Sequence, residues 1–391
     1  MLEYDPYAYA LHEDPYPLYE RLRVEAPVYR NEAMSFWALS RHSDVLRAFK
    51  DHATFSNREG VSLDPKSRST EAARIGMSFL GLDPPHHTRM RGLVSRGFTP
   101  RRVSALEPRV REMTVGYLDG LVGSGGFDLI DDFAGRLPMD VISELLGVPV
   151  ADRTQLREWA DLLVHREEGV RDVPPAGSMA FGKIRGYFSE LLAERKKRPR
   201  DDLLSVLTTL ELDGDVLDDM EILSFCNLMI VAGNETTTKL IGNALYWLAR
   251  NPEQRQLVDS RDVSIENWIE ETLRYDNSTQ MLARLVTKDV KVRGHSLVTG
   301  DLVLLLVGSA NRDEEVFENA SAFDLRRDTS AMLSFGKGAH FCMGASLARL
   351  EARVALEEWW ARFSKFTIDS ARASRVHSIN VRGFAHLPVE V

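Results

Sequence analysis

Ser334-Phe335-Gly336-Lys337-Gly338-Ala339-His340-Phe341-Cys342-Met343-Gly344 is the stretch on which the fold turns. Two glycines ahead of the thiol permit a tight turn with positive φ. Gly344 leaves room for a flat object close to the backbone. Beyond Cys342 the apolar residues Met343, Leu347, Leu350 and Val354 recur at helical spacing, which predicts a last long helix from about Met343 to Phe363. A sulfur at the mouth of such a helix faces unpaired N–H groups and the positive dipole end. Both favour the thiolate, the form that ligates a metal or attacks carbon. A lone cysteine is more often a buried apolar residue, and that reading suits Cys226, which stands in an apolar helical run. At Cys342 an aromatic, three glycines and the thiol at fixed offsets argue for chemistry instead.

Helical periodicity continues upstream. Asp218 to Arg250 predicts a central helix longer than most globular helices. Its middle, Ala232-Gly233-Asn234-Glu235-Thr236-Thr237-Thr238, is poor helix material, with one Gly and three β-branched residues. The Thr236 hydroxyl can bond back to the carbonyl of Ala232 and open a local groove holding a hydroxyl and a carboxylate. Further helices are expected at 15–25, 89–98, 103–122, 138–146, 153–164, 182–197, 252–258 and 264–275. Strand-like segments fall near 28–60 and 283–306, with more in the C-terminal tail. With no repeat and no linker, residues 1–391 read as a single domain, mainly α with minor β.

Phe335-x-x-Gly338-x-x-x-Cys342-x-Gly344 resembles the haem-binding loop of the cytochrome P450 family. Ala232-Gly233-x-Glu235-Thr236-Thr237 resembles that family's oxygen-binding notch, with Glu where many members have Asp. The resemblance implies the cytochrome P450 fold, with haem b (iron protoporphyrin IX) held between the central helix and the Cys342 loop. It implies Cys342 as iron ligand, with Phe335, Gly338, Gly344, Ala232 and Gly233 against the cofactor. Thr236 would hold bound O2 by a hydrogen bond and Glu235 would feed protons.

Other stretches resemble the family in order along the chain. Glu271-Thr272-Leu273-Arg274 is similar to its structural Glu-x-x-Arg pair. By itself an acid and a base at i, i+3 would read as a surface ion pair. His87 and Arg91 share one helix face at i, i+4, and by resemblance they bind the haem propionates together with Arg284 and His340. Choosing His87 over the adjacent His86 rests on register. The segment Glu318 to Phe323 lacks the family's usual proline. From place in the fold, pocket walls are expected from Gly60–Leu82, Val164–Met179, Leu228–Ala232, Gln280–Ala283 and Ile379. Met77, Leu228, Ala232, Gln280 and Met281 are the candidate substrate contacts, and Pro174-Pro175-Ala176-Gly177 reads as a lid loop.

Composition bounds the partners. Lys+Arg number 49 and Asp+Glu 58, a net charge of −9, which argues against nucleic acid. Two cysteines exclude a disulfide scaffold and an iron–sulfur cluster held by four thiolates. The acidic, proline-broken start MLEYDPYAYALHEDPYP reads as neither signal nor anchor, and the longest apolar run, Leu302 to Val307, is far short of the ~20 residues that span a bilayer. A cytoplasmic protein with no membrane partner is expected. The family reading adds O2, a hydrophobic small molecule and a separate electron donor, most simply a ferredoxin, docking on Arg101, Arg102, Lys337, Arg349 and Arg353. Two rivals remain: a Cys342–His340 nucleophile enzyme, which leaves the notch unexplained, and a haem-thiolate sensor, which has no need of Glu235 and Thr236.

Overall fold

Asp218 starts the longest helix, Asp219–Arg250, with a reciprocal cap: its side chain accepts from Glu221 N (2.8 Å), and the Glu221 carboxylate accepts from Asp218 N (3.0 Å). Apolar residues run right round this helix, and it is buried accordingly from Ile222 to Leu248. The computed structural model describes residues 2–69, 76–212 and 214–391. In it the other main helices pack about the central one. They include Leu137–Leu146, Arg153–Val164, Pro175–Lys197, Ile265–Tyr275 and the final helix Ala345–Phe363.

Strands from the two predicted β regions join in one sheet, while Val290–Val292 and His295–Leu297 pair apart from it as a hairpin. The order within the sheet is Val28–Asn31, Phe36–Leu39, Leu302–Leu305, Leu282–Val286, Phe55–Ser56. Neighbours are antiparallel except Phe36–Leu39 and Leu302–Leu305, which run parallel with Phe36 opposite Leu302. In the tail, Ser374–Arg375 pairs with Phe384–His386, and Pro388–Glu390 lies between Thr367–Ile368 and Gly126–Asp128.

Several expectations need correction. Pro174–Gly177 is no lid loop. Pro175 is the first residue of the helix Pro175–Lys197, where its fixed φ and missing N–H cost nothing. The helix expected over 103–122 divides into Pro100–Ala105 and Glu107–Asp119. A helix at His42–Lys50 went unread between the strands.

Glu271 and Arg274 are fully buried and bidentate, Nε to Oε2 and Nη2 to Oε1 both at 2.7 Å. Arg274 also donates to the carbonyls of Asn311, Ala320 and Ala322. The pair therefore fastens the irregular 311–322 segment from beneath. Arg327 adds a second cation, with Nε 3.4 Å from Glu271 Oε1, and donates to the carbonyls of Glu318 and Asn319. That ties down the segment in which the proline is missing.

Candidate haem-thiolate site

The Cys342 loop is shaped by its glycines. Gly336 and Gly338 take φ of 68° and 73°. A Cβ on Gly338 would stand 2.7 Å from the Phe49 carbonyl oxygen, so no other residue fits. Cys342 N donates to Phe335 O (2.8 Å) and Phe341 N to Gly338 O (3.1 Å). A Cβ on Gly344 would meet only Cys342 Sγ, at 3.9 Å, so the space beside the sulfur is open. The Phe335 ring packs under the Arg349 guanidinium, 4.5 Å from its centroid.

Cys342 is accessible, yet its sulfur opens onto a largely apolar cavity. Desolvation pushes the thiol up. The backbone groups of Gly344 and Ala345, with Arg91 and Arg349, oppose that push without overcoming it. The helix-mouth effect expected from sequence is thus present but outweighed, and the charge of a bound metal is what would make the thiolate outright.

The central helix forms the facing wall. Leu228, Ala232, Gly233 and Thr236 line the same cavity as Cys342, together with Phe225, Met229 and Leu240. The Thr236 hydroxyl donates to Ala232 O at 2.8 Å. The helix does not open there, and it stays α-helical throughout. Gly233 has a packing reason of its own: a Cβ would come within 2.9 Å of Ile142 on the helix Leu137–Leu146. Glu235 is absent from this cavity. It points behind the helix into another space, of about 430 Å³.

Arg91, Arg284 and His340 line the thiol cavity, and His87 packs against His340 with ring centroids 4.1 Å apart. His87 is buried on the helix His86–Ser95 whereas His86 is exposed. Neither ring nitrogen of His87 or of His340 has a hydrogen-bond partner. Burial pushes His87 down to about 4, with Arg91 adding to the effect. Burial and the neighbouring His87, Arg284 and Arg91 push His340 down to about 3. Arg284 is 3% exposed and donates only to the adjacent Ala283 O, at 2.8 Å. Among the described residues no carboxylate comes within ion-pairing distance of it, and burial pulls its guanidinium down to about 10. Arg91 donates to Phe341 O at 2.6 Å. Unpaired buried polar groups of this kind are costly unless something completes them. Two carboxylates on the edge of a flat apolar group would do so, and the donor set fits haem.

The expected pocket walls are only partly met. Phe79 and Leu80 line the cavity, but Met77 precedes their turn and does not. Positions 70–75 of that wall lie outside the described residues. Strand alternation decides the next wall: Leu282 and Arg284 face the cavity, whereas Met281 faces away, its sulfur accepting from Tyr4 OH at 3.3 Å. Gln280 turns its amide to Asn277 O (2.7 Å), and residues 277–279 line the cavity in its place. None of Val164–Met179 reaches it, nor does Ile379. Glu351 was missed. It lies on the buried side of the final helix, lines the cavity, and has an unpartnered oxygen. Burial holds its carboxyl well above the usual range. The available signal was an acid set among the helically spaced Leu347, Leu350 and Val354.

Of the predicted docking cations, Arg349 is bidentate to Glu270 (2.5 and 2.9 Å), and Arg353 pairs with Glu107 and Glu357. Arg101 and Arg102 are exposed, and Lys337 is partly so.

This geometry has relatives. The family model described as Cytochrome P450 matches residues 176–259 and 264–380. A putative cytochrome P450 123 of Mycobacterium tuberculosis is 53% identical over 388 residues, covering 99% of this chain and 96% of its own. A vitamin D(3) 25-hydroxylase of Pseudonocardia autotrophica is 37% identical over 99% of this chain and 96% of its own. Among solved structures, CYP109E1 of Bacillus megaterium in complex with testosterone has a TM-score of 0.90 at 32% identity, covering 98% of this chain and 99% of that one. The chain belongs to the cytochrome P450 family, and its architecture is the cytochrome P450 fold. Membership brings haem as the cofactor and oxidoreductase chemistry of the monooxygenase kind. Among the described residues no helix is long and apolar enough to cross a membrane.

Proposed function

We propose that this chain is a haem-thiolate monooxygenase that oxidises an apolar small molecule with O2 and two electrons from a separate ferredoxin-like donor. One observation carries the reading. A thiol loop and a Thr-bearing helix face each other across an apolar cavity lined by Arg284, which no carboxylate pairs among the described residues, and by unpartnered His340, against which unpartnered His87 packs. Cys342 would hold the iron, and His87, Arg91, Arg284 and His340 the two propionates. Haem held by thiolate supplies O–O cleavage, with one oxygen going to substrate and the other to water.

The protein's own part is positioning and proton delivery. Ala232 leaves space on the distal wall. The Thr236 hydroxyl, resting on Ala232 O, is placed to turn its proton into the cavity. Glu235, one residue before it, would relay protons from behind the helix. Phe79, Phe225, Leu228 and Met229 favour an apolar substrate. A steroid-like skeleton agrees with the relatives named for vitamin D(3) and testosterone. Exposed Arg101 and Arg102 suit an acidic donor.

The test is spectroscopic. The purified protein should carry haem and give the red-shifted ferrous–CO band of thiolate ligation, and Cys342→Ala should lose that band. Testosterone should shift the resting spectrum by displacing water. A wild-type protein that neither retains hemin nor shows the band would end the proposal. The band without O2-dependent product on any apolar substrate would leave the sensor reading.

A further inference from the structure

Behind the central helix, on the side away from Cys342, lies the cavity of about 430 Å³. Glu235 is 2% exposed there, and its Oε2 has no hydrogen-bond partner. Lys239, also buried, brings its Nζ to 3.4 Å from that oxygen. Across the cavity the helix Arg153–Val164 offers Asp161, whose half-exposed side chain lines the same space as Glu235. Two carboxyls and one ammonium thus meet in one space, with solvent on the Asp161 side and Thr236 beyond Glu235.

We propose that Asp161 is a positioning residue that shares one proton with Glu235, passing it from solvent to the acid beside Thr236 while Lys239 balances the single remaining negative charge. This rests on the monooxygenase reading for the use of the proton, though the shared proton itself does not need haem. In the transfer the Asp161 O–H bond breaks and an O–H bond forms on Glu235. Asp161, now a carboxylate, takes its next proton from water at its exposed edge, and no electrons move.

The charges around the pair agree. Desolvation, then the Glu235 charge and hydrogen bond, push Asp161 up to about 8, so it carries the proton at neutral pH. Burial pushes Glu235 up, but Lys239, the Asp161 hydrogen bond and Arg157 together hold it below its ordinary value. Of the other charged or titratable groups on the walls, Arg157 is shared between Asp131 (2.8 Å) and Asp161 (Nε–Oδ2 4.0 Å), where it opposes the upward push on Asp161, and His386 Nδ1 stands 3.2 Å from the Asp131 carboxylate. Glu158 and His165 complete the set. Neighbouring titratable groups split in this way hold one proton between them.

The experiment uses the purified holoenzyme. Infrared difference spectra across pH 6–9 read the carbonyl stretch of a protonated carboxyl, and turnover reads the fraction of O2 consumed that becomes product. The wild type should lose a protonated carboxyl as pH rises towards the upper end, with product yield falling in parallel. Asp161→Asn should abolish that titration and lower product yield roughly tenfold, with the remainder independent of pH. Asp161→Glu should restore both. An unchanged infrared titration and pH profile in Asp161→Asn would overturn the proposal. If the wild type shows the titration yet yields no product, the monooxygenase reading fails and the shared proton stands.

Discussion

The imidazoles of His87 and His340 meet with ring centroids 4.1 Å apart and planes inclined at 51°. One stands on the helix His86–Ser95 and the other in the thiol loop, so the contact joins the two ends of the proposed propionate cradle. Both rings are desolvated, and His87 disfavours a proton on His340.

The burial of His87 gives the haem-free chain a pH dependence. With His87 held near 4 when folded against about 6.5 unfolded, the unfolded chain binds more protons between those values. Stability should therefore fall as pH drops through that window, by roughly 3 kcal/mol from His87 at most. Urea melts at pH 7.5, 6.5, 5.5 and 4.5 should show the decline, and His87→Asn should lessen it while His340 keeps the rest. Melts that are equally steep in both proteins would contradict the assignment.

Arg284 carries a buried charge that its own chain does not pair. Arg284→Met should stabilise the haem-free protein by something on the order of 3 kcal/mol and weaken hemin uptake. Thermal melts and hemin titration should move in opposite directions. A variant that melts lower and still binds hemin tightly would show that Arg284 serves packing.

Thr236→Ala removes the hydroxyl from the distal wall and leaves the helix intact, because Ala is the better helix former. Product yield should fall roughly tenfold or more while O2 consumption continues, the difference appearing as peroxide. Equal coupling in both proteins would remove Thr236 from the proton path.

Breaking the Glu271–Arg274 pair should cost folding. Each partner is fully buried, so Glu271→Gln strands a guanidinium at a cost of roughly 3–5 kcal/mol. Soluble yield and denaturation midpoint should both drop, with the spectrum of any surviving holoprotein unchanged.

Arg101 and Arg102 are exposed, whereas Arg349 and Arg353 are engaged with carboxylates. Reversing the first two should slow reduction by an acidic ferredoxin several-fold at low salt, with the difference vanishing at high salt. Rates that match the wild type at all ionic strengths would place the donor elsewhere.

The sequence showed most where chemistry forces local pattern. The glycine offsets of the Cys342 loop, the Thr236 back-bond to Ala232 and the span of the central helix were all readable, because each is set within a few residues. What escaped depends on chain paths that meet only in space. The turning away of Met281 follows from strand register, and that of Gln280 from its bond to Asn277. Asp161 became visible as a neighbour of Glu235 only once two helices were packed together. Arg349 looked like a free surface cation because its partner Glu270 lies on another helix.

The parallel pairing of Phe36 with Leu302 also bears on how the molecule is made. A strand completed early in synthesis has to wait for one made near the end, so the sheet that carries Arg284 closes only after most of the polypeptide has left the ribosome. Because Cys342 follows Leu302 in the chain, that sheet can begin to close before the thiol loop has been made, so the proposed cradle for the cofactor's acidic edge is prepared ahead of the proposed iron ligand.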